Sequence, residues 1–316
     1  MMYPPKRKNN YTLYKITSVL LPTEHKTYDT EMNWLLLTFI SALSGSLARI
    51  LQKVLLKDTQ SDPFAFSFAF QVSVAIIFLL YTLLTGTLEL PDMRGLFVNL
   101  AAMTILYSVG NICLFTAFKK AEASEVSIVF ASSTVWSVIA AMMLLGERIH
   151  VLNVLGIACI VLSIIVINYT SSTWTLSKGH ALALVGAIFY GVAFTNDAYI
   201  VSRYDSLTSY MIIAFAFPAI TSLLYRPASV TALRQYLRAS MLKNLLLSSF
   251  IYAVSAFSIF AAFKMGGKAA IISPIQQTSI MFTVIFGYFL LDEKDKVKQK
   301  VAAALLAFIG VLLLIQ

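Results

Sequence analysis

Residues 117–148 read AFKKAEASEVSIVFASSTVWSVIAAMMLLGER, and residues 262–294 read AFKMGGKAAIISPIQQTSIMFTVIFGYFLLDEK. Ala117-Phe118-Lys119 returns as Ala262-Phe263-Lys264, 145 residues on. Leu144-Leu145-Gly146-Glu147-Arg148 returns as Leu290-Leu291-Asp292-Glu293-Lys294, 146 residues on. Tyr107 and Tyr252 keep the first spacing, Gly45 and Gly191 the second. Self-similarity at a fixed period marks an internal duplication. Apolar runs of bilayer-spanning length occupy roughly 33–56, 63–85, 95–118, 123–145, 150–168, 180–203, 207–225, 242–264, 268–291 and 298–316. Short polar joints such as Lys119-Lys120 and Asp292-Glu293-Lys294-Asp295 separate them. Runs near 20 residues without alternation are helices, since a barrel strand needs only ~10 residues with strict alternation. Ten runs and one duplication place five in each copy, and an odd number of crossings turns the second copy upside down. The expected fold is all-α and integral to the membrane, with ten transmembrane helices as two inverted five-helix repeats, 33–170 and 178–316. Residues 1–31, polar and broken by prolines, are expected to form a mobile tail.

The chain is 59% hydrophobic and 12% charged, with a mean hydropathy of +0.79. Soluble domains carry ~25% charged residues, so a water-facing surface cannot be made from this sequence. The net charge of +9 is spread over loops and helix ends, which suits anionic lipid headgroups and gives no reason to expect nucleic acid. Cys113 and Cys159 sit in apolar runs, and His25, His150 and His180 do not cluster. No metal, disulfide or cofactor is expected from them. A nucleotide-driven pump is disfavoured, because no phosphate-cradling Gly-rich loop followed by Lys is present. Lys and Arg are nearly balanced between the two faces, so their count does not orient the chain.

Each copy ends in an apolar helix, a Leu-Leu-x-Glu-basic joint and a last plain apolar helix. In this the chain resembles the EamA-type branch of the drug/metabolite transporter superfamily, over residues 33–316. The resemblance implies ten helices in the inner (cell) membrane with both termini cytoplasmic. It also implies a central cavity lined mostly by helices 1, 3, 4, 6, 8 and 9, and movement of amino acids or other small metabolites. Asp292 where the first copy has Gly146, and Pro274 where it has Val129, depart from strict repetition.

Polar groups within spans are costly and are functional candidates by default. Helix 3 offers Tyr107, Ser108 and Asn111; helix 4 offers Ser132 and Trp136; helix 6 offers Tyr190. Helix 8 offers Tyr252 and Ser255, and helix 9 offers Gln276 and Gln277. Tyr107 matches Tyr252 and Ser132 matches Gln277 across the duplication. The set reads as an aromatic, uncharged pocket for a small neutral or zwitterionic molecule, possible partners being amino acids, aromatic compounds and organic cations. The alternative is that Ser and Gln join helices to one another. A phosphorylated ligand would want Arg or Lys near the midplane, and helices 3, 4, 8 and 9 supply none there.

Charges near the span ends suggest gating or coupling. Arg49 on helix 1 is expected to meet Glu122 or Glu125 at one mouth, and Asp197 on helix 6 to meet Lys264 or Lys268 at the other. These are alternating latches, or else permanent ion pairs and snorkelling side chains. Asp197 is also the candidate carrier of a coupling proton. Glu147 and Glu293 are read as turn-fixing groups at solvent-facing joints. The function expected is secondary transport by alternating access, the partners being a small-molecule substrate and the bilayer, with a monomer or weak homodimer as the assembly. The alternatives are a lipid-processing enzyme or scaffold in the membrane, and a nucleotide-sugar or phosphate exchanger. The enzyme reading would need clustered acids and bases at one mouth, and Asp197 alone lies deep.

Overall fold

The computed structural model describes residues 24–57, 60–89, 94–145, 151–170, 173–174, 176–203, 206–265, 272 and 275–314. The helices are α1 (Glu24–Leu56), α2 (Pro63–Thr85), α3 (Phe97–Lys120), α4 (Ala123–Phe130), α5 (Ser133–Leu145) and α6 (Val151–Asn168). They continue as α7 (Lys178–Val201), α8 (Leu207–Tyr225), the short α9 (Leu233–Tyr236), α10 (Ala239–Lys264), α11 (Ser279–Leu290) and α12 (Val297–Leu314). A two-residue antiparallel ladder, β1 (Tyr169–Thr170) with β2 (Thr173–Trp174), joins the halves. Among the described residues, eight stretches are long and apolar enough to cross a membrane, the eighth ending at Lys264. The last two of the ten expected runs appear as α11, 12 residues, and α12, 18 residues. Helix α1 begins at Glu24, inside the stretch read from sequence as a tail.

Local chemistry sets several of the ends. Asp62 precedes Pro63 at the first position of α2, and its carboxylate accepts from Phe64 N at 2.8 Å and Ala65 N at 3.3 Å. These satisfy donors that an isolated helix leaves bare. Gly86 closes α2 in the left-handed region at φ 65°, a conformation that favours a residue without Cβ. Ser177 and Ser206 cap α7 and α8 in the same way as Asp62.

The packing follows the duplication. α1 packs on α10 and α3 on α7; α5 packs on α7 and α11 on α1; α2 pairs with α8, α6 with α12 and α4 with α11. Exchange each helix for its counterpart in the other copy, and every one of these pairings except α4 with α11 becomes another of them or itself. The bundle therefore has a twofold relation between its halves.

It is also inside-out by the standards of a water-soluble protein. Leu84, Phe97, Val98, Val151 and Phe289 are among many large apolar side chains on the outside. Gln71, Asn111, Asn196, Asp197 and more than a dozen Ser and Thr hydroxyls are buried. Lipid tails solvate the former, and the latter must find partners within the bundle.

Candidate functional site

A central cavity lies between the halves. α4 gives way to α5 at Ala131–Ser132, and the helix carrying Gln276 gives way to α11 at Gln277–Thr278. At both breaks the backbone tightens to bonds three residues apart: Thr134 N to Ala131 O at 3.1 Å and Val135 N to Ser132 O at 3.0 Å in the first. Ile280 N to Gln277 O and Met281 N to Thr278 O, both 3.0 Å, do so in the second. The breaks occupy matching positions of the repeat and border the cavity, as interrupted helices do around binding sites in proteins of this architecture.

Of the residues expected to line a pocket, Tyr107, Asn111, Tyr190, Tyr252, Ser255, Gln276 and Gln277 do so. The other three are placed elsewhere. Ser108 joins α3 to α8 through the Thr221 hydroxyl and Pro218 O, the latter at 3.3 Å. Ser132 donates back to Val129 O at 2.8 Å, at the helix break. Trp136 is half-buried against α7, where a Cβ on Gly191 would lie 2.6 Å from its own Cβ. Ser133 and Ser137 face the cavity from α5 instead. Phe70, Gln71 and Phe215, from spans not expected to contribute, also line it. The rings wall the cavity in two groups: Tyr107 to Tyr190 at 5.2 Å and Phe130 to Tyr190 at 5.0 Å in one, and Phe70 to Tyr252 at 5.2 Å between centroids in the other.

A polar chain runs from the cavity lining into the bundle. Tyr190 donates to Asn111 Oδ1, Asn111 Nδ2 to Gln71 Oε1 at 3.0 Å, and Gln71 Nε2 to Ser67 Oγ at 2.9 Å. It reaches α8 through Ser67 and Ser222, whose hydroxyls are 3.0 Å apart. Asp197, fully buried, accepts from the hydroxyls of Tyr107 and of Tyr210, the second at 2.6 Å. Asn196 beside it clamps Asn99 in both directions, at 2.7 and 2.9 Å.

The pocket is not uncharged, as the sequence suggested. Arg49 projects from α1 into it and donates to Ser279 Oγ at 2.9 Å. Its expected partners are engaged elsewhere. Glu122 pairs with Lys300, and Glu125 lies 3.1 Å from His180 Nε2. His180 Nδ1 is in turn 2.5 Å from Asn168 Oδ1. Lys53, one turn beyond Arg49, donates to Phe118 O at 2.5 Å and Ala121 O at 2.6 Å. At the opposite end Lys264 is exposed while Asp197 is held by tyrosines; Lys268, Pro274, Glu147 and Arg148 lie outside the described residues.

Glu293 differs most from its reading as a solvent-facing turn residue, being only 7% exposed. Its carboxylate accepts from Ala123 N at 2.7 Å, Ser124 N at 3.1 Å and Ser124 Oγ at 2.5 Å. It therefore caps α4 from the other half of the chain, and the first-turn amides of α4 are the donors that need an acceptor. Burial holds the Glu122 carboxyl above the usual range, and the hydrogen bond and charge of Lys300 draw it part of the way back.

A family model described as the EamA-like transporter family matches residues 32–169 and again 177–316. No curated protein matches the chain. A crystal structure of another protein superposes with a TM-score of 0.60 at 14% identity, covering 89% of this chain and 94% of that one. That likeness shows a shared fold.

Proposed function

This chain belongs to the EamA-like transporter family, and on that premise we propose that it is a secondary transporter working by alternating access. Its repeats lie antiparallel around the central cavity, which receives a small organic metabolite. The observation that carries the reading is the character of the contacts at one end of the bundle. There Glu293, Lys300 and His180 of the second repeat reach α4's first turn, Glu122 and Glu125 of the first. These are directional bonds between groups that water can satisfy when the halves part, so the mouth can open without stranding them. The twofold relation between halves supplies a second state in which the other end closes.

A reversible lock tests this. A Cβ on Gly287 would lie 3.7 Å from Ser124 Cβ, within the ~3.5–4.5 Å a disulfide needs, and 2.7 Å from Glu293 Oε2, so the Glu293 side chain must turn aside and the disulfide replaces its cap as the closing link. With Cys113 and Cys159 replaced by Ala, Ser255→Cys in the cavity is expected to react with impermeant thiol reagents from both faces of the membrane. Adding Ser124→Cys with Gly287→Cys and oxidising should end labelling from one face, and reduction should restore it. Labelling of Ser255→Cys from a single face in the unlocked protein would remove the alternating-access reading.

A further inference from the structure

We propose that Arg49 anchors a carboxylate-binding subsite in the central cavity, and that Gln276 accepts from an N–H donor elsewhere on the same ligand. The inference deepens the transporter reading and rests on it only in taking the ligand to be the cargo.

A cation within a membrane span is costly unless paired. Arg49 makes one hydrogen bond among the described residues, to the neutral hydroxyl of Ser279. The neighbouring carboxylates are committed to other groups: Asp197 to two tyrosines, Glu122 to Lys300, Glu125 to His180 and Glu293 to α4. A guanidinium carries five donors in a planar fork that matches a carboxylate with two parallel bonds. The missing counter-charge is therefore supplied by what enters the cavity. One guanidinium balances one negative charge, which favours a monocarboxylate over a phosphate dianion.

The second point is an orphaned acceptor. Gln276 lines the same cavity, and its Oε1 is buried with no partner among the described residues. Its orientation follows from its neighbours. Ser255 donates to Ser41 O at 2.8 Å, leaving the Ser41 hydroxyl to point at Ser255 Oγ, 3.1 Å away. Ser41 Oγ then has only acceptor capacity for Gln276, so Nε2 faces it at 3.0 Å and Oε1 turns away. A buried amide oxygen without a donor is costly, and a ligand N–H relieves it.

The test is a thermal-unfolding series on the purified full chain with L-phenylalanine, L-leucine and 3-phenylpropanoate, each beside its amide. The acids are expected to raise Tm by several degrees and the amides far less. Arg49→Met should lower acid affinity at least tenfold, while its ligand-free Tm matches or exceeds that of the native chain because an unpaired charge has been removed. Arg49→Lys, which keeps the charge and loses the fork, should fall between. Gln276→Leu should weaken L-phenylalanine more than 3-phenylpropanoate, which has no N–H. Equal stabilisation by amides, survival of the acid effect in Arg49→Met, or no response to any acid overturns the proposal. Acid binding to a protein whose Ser255→Cys is reached from one face alone would keep the subsite and discard alternating access. Two-faced access with binding indifferent to Arg49→Met would do the reverse.

Discussion

Replacing Glu293 by Ala should open the closed mouth without unfolding the bundle. The carboxylate is 7% exposed and accepts three bonds, two of them from the first-turn amides of α4. Losing a helix cap costs about 0.5–2 kcal/mol, and losing an anion at a helix N-terminus about 0.3–1 kcal/mol more. The Ser124 hydroxyl also loses a charge-assisted bond. A combined loss of about 2–3 kcal/mol changes the closed-to-open ratio by roughly 30- to 150-fold, at ~1.4 kcal/mol per factor of ten. Ser127 reports on this. It lies in α4, is 3% exposed, and its hydroxyl has no partner among the described residues, so Ser127→Cys should be tolerated. Its labelling rate by a maleimide, in a background free of Cys113 and Cys159, tracks the open population when opening and closing are fast. Glu293→Ala should raise that rate by the factor above, and Glu293→Gln, which keeps an acceptor oxygen but no charge, by less. A Glu293→Ala protein that labels at the native rate would refute the assignment of Glu293 as the closing cap.

The same readout gives a pH dependence. Burial raises the Glu122 carboxyl above its ordinary value, so the closed mouth binds a proton more readily than an open, hydrated one. Closure should strengthen as pH falls through the window between the raised and ordinary values, and weaken as pH rises through it. Ser127→Cys labelling, corrected with a free thiol, should follow that slope, and Glu122→Gln should flatten it. Close helix contacts give a graded series. A Cβ on Gly191 would sit 2.3 Å from Ser133 O, and one on Gly310 2.7 Å from Gly156 O, both backbone atoms that cannot step aside. Gly191→Ala and Gly310→Ala should each destabilise by about 1–3 kcal/mol through overpacking, read as a lower Tm. Gly45→Ala meets only Ser255 Oγ, at 2.9 Å, which can rotate, so it should cost least.

Linear pattern carried much of this protein. Span length and the duplication are properties of residue order, because a bilayer selects helices by length and hydropathy alone. The duplication also located the tyrosines: Tyr107 and Tyr252 match across it, and both face the cavity. Which face of each helix turns inward was not legible in the same way. Lipid and protein interior are equally apolar, so hydrophobicity does not drive one side of a span toward the centre. Close packing at glycines and bonds between distant helices decide it. Arg49 thus became a cavity residue rather than half of a latch, held by Ser279 from the other repeat. Lys300 found Glu122, 178 residues away, where sequence spacing offered Arg49 as the nearer match. Glu293 left its apparent place in a wet turn because the bare amides of α4 are brought to it only when the two halves fold together.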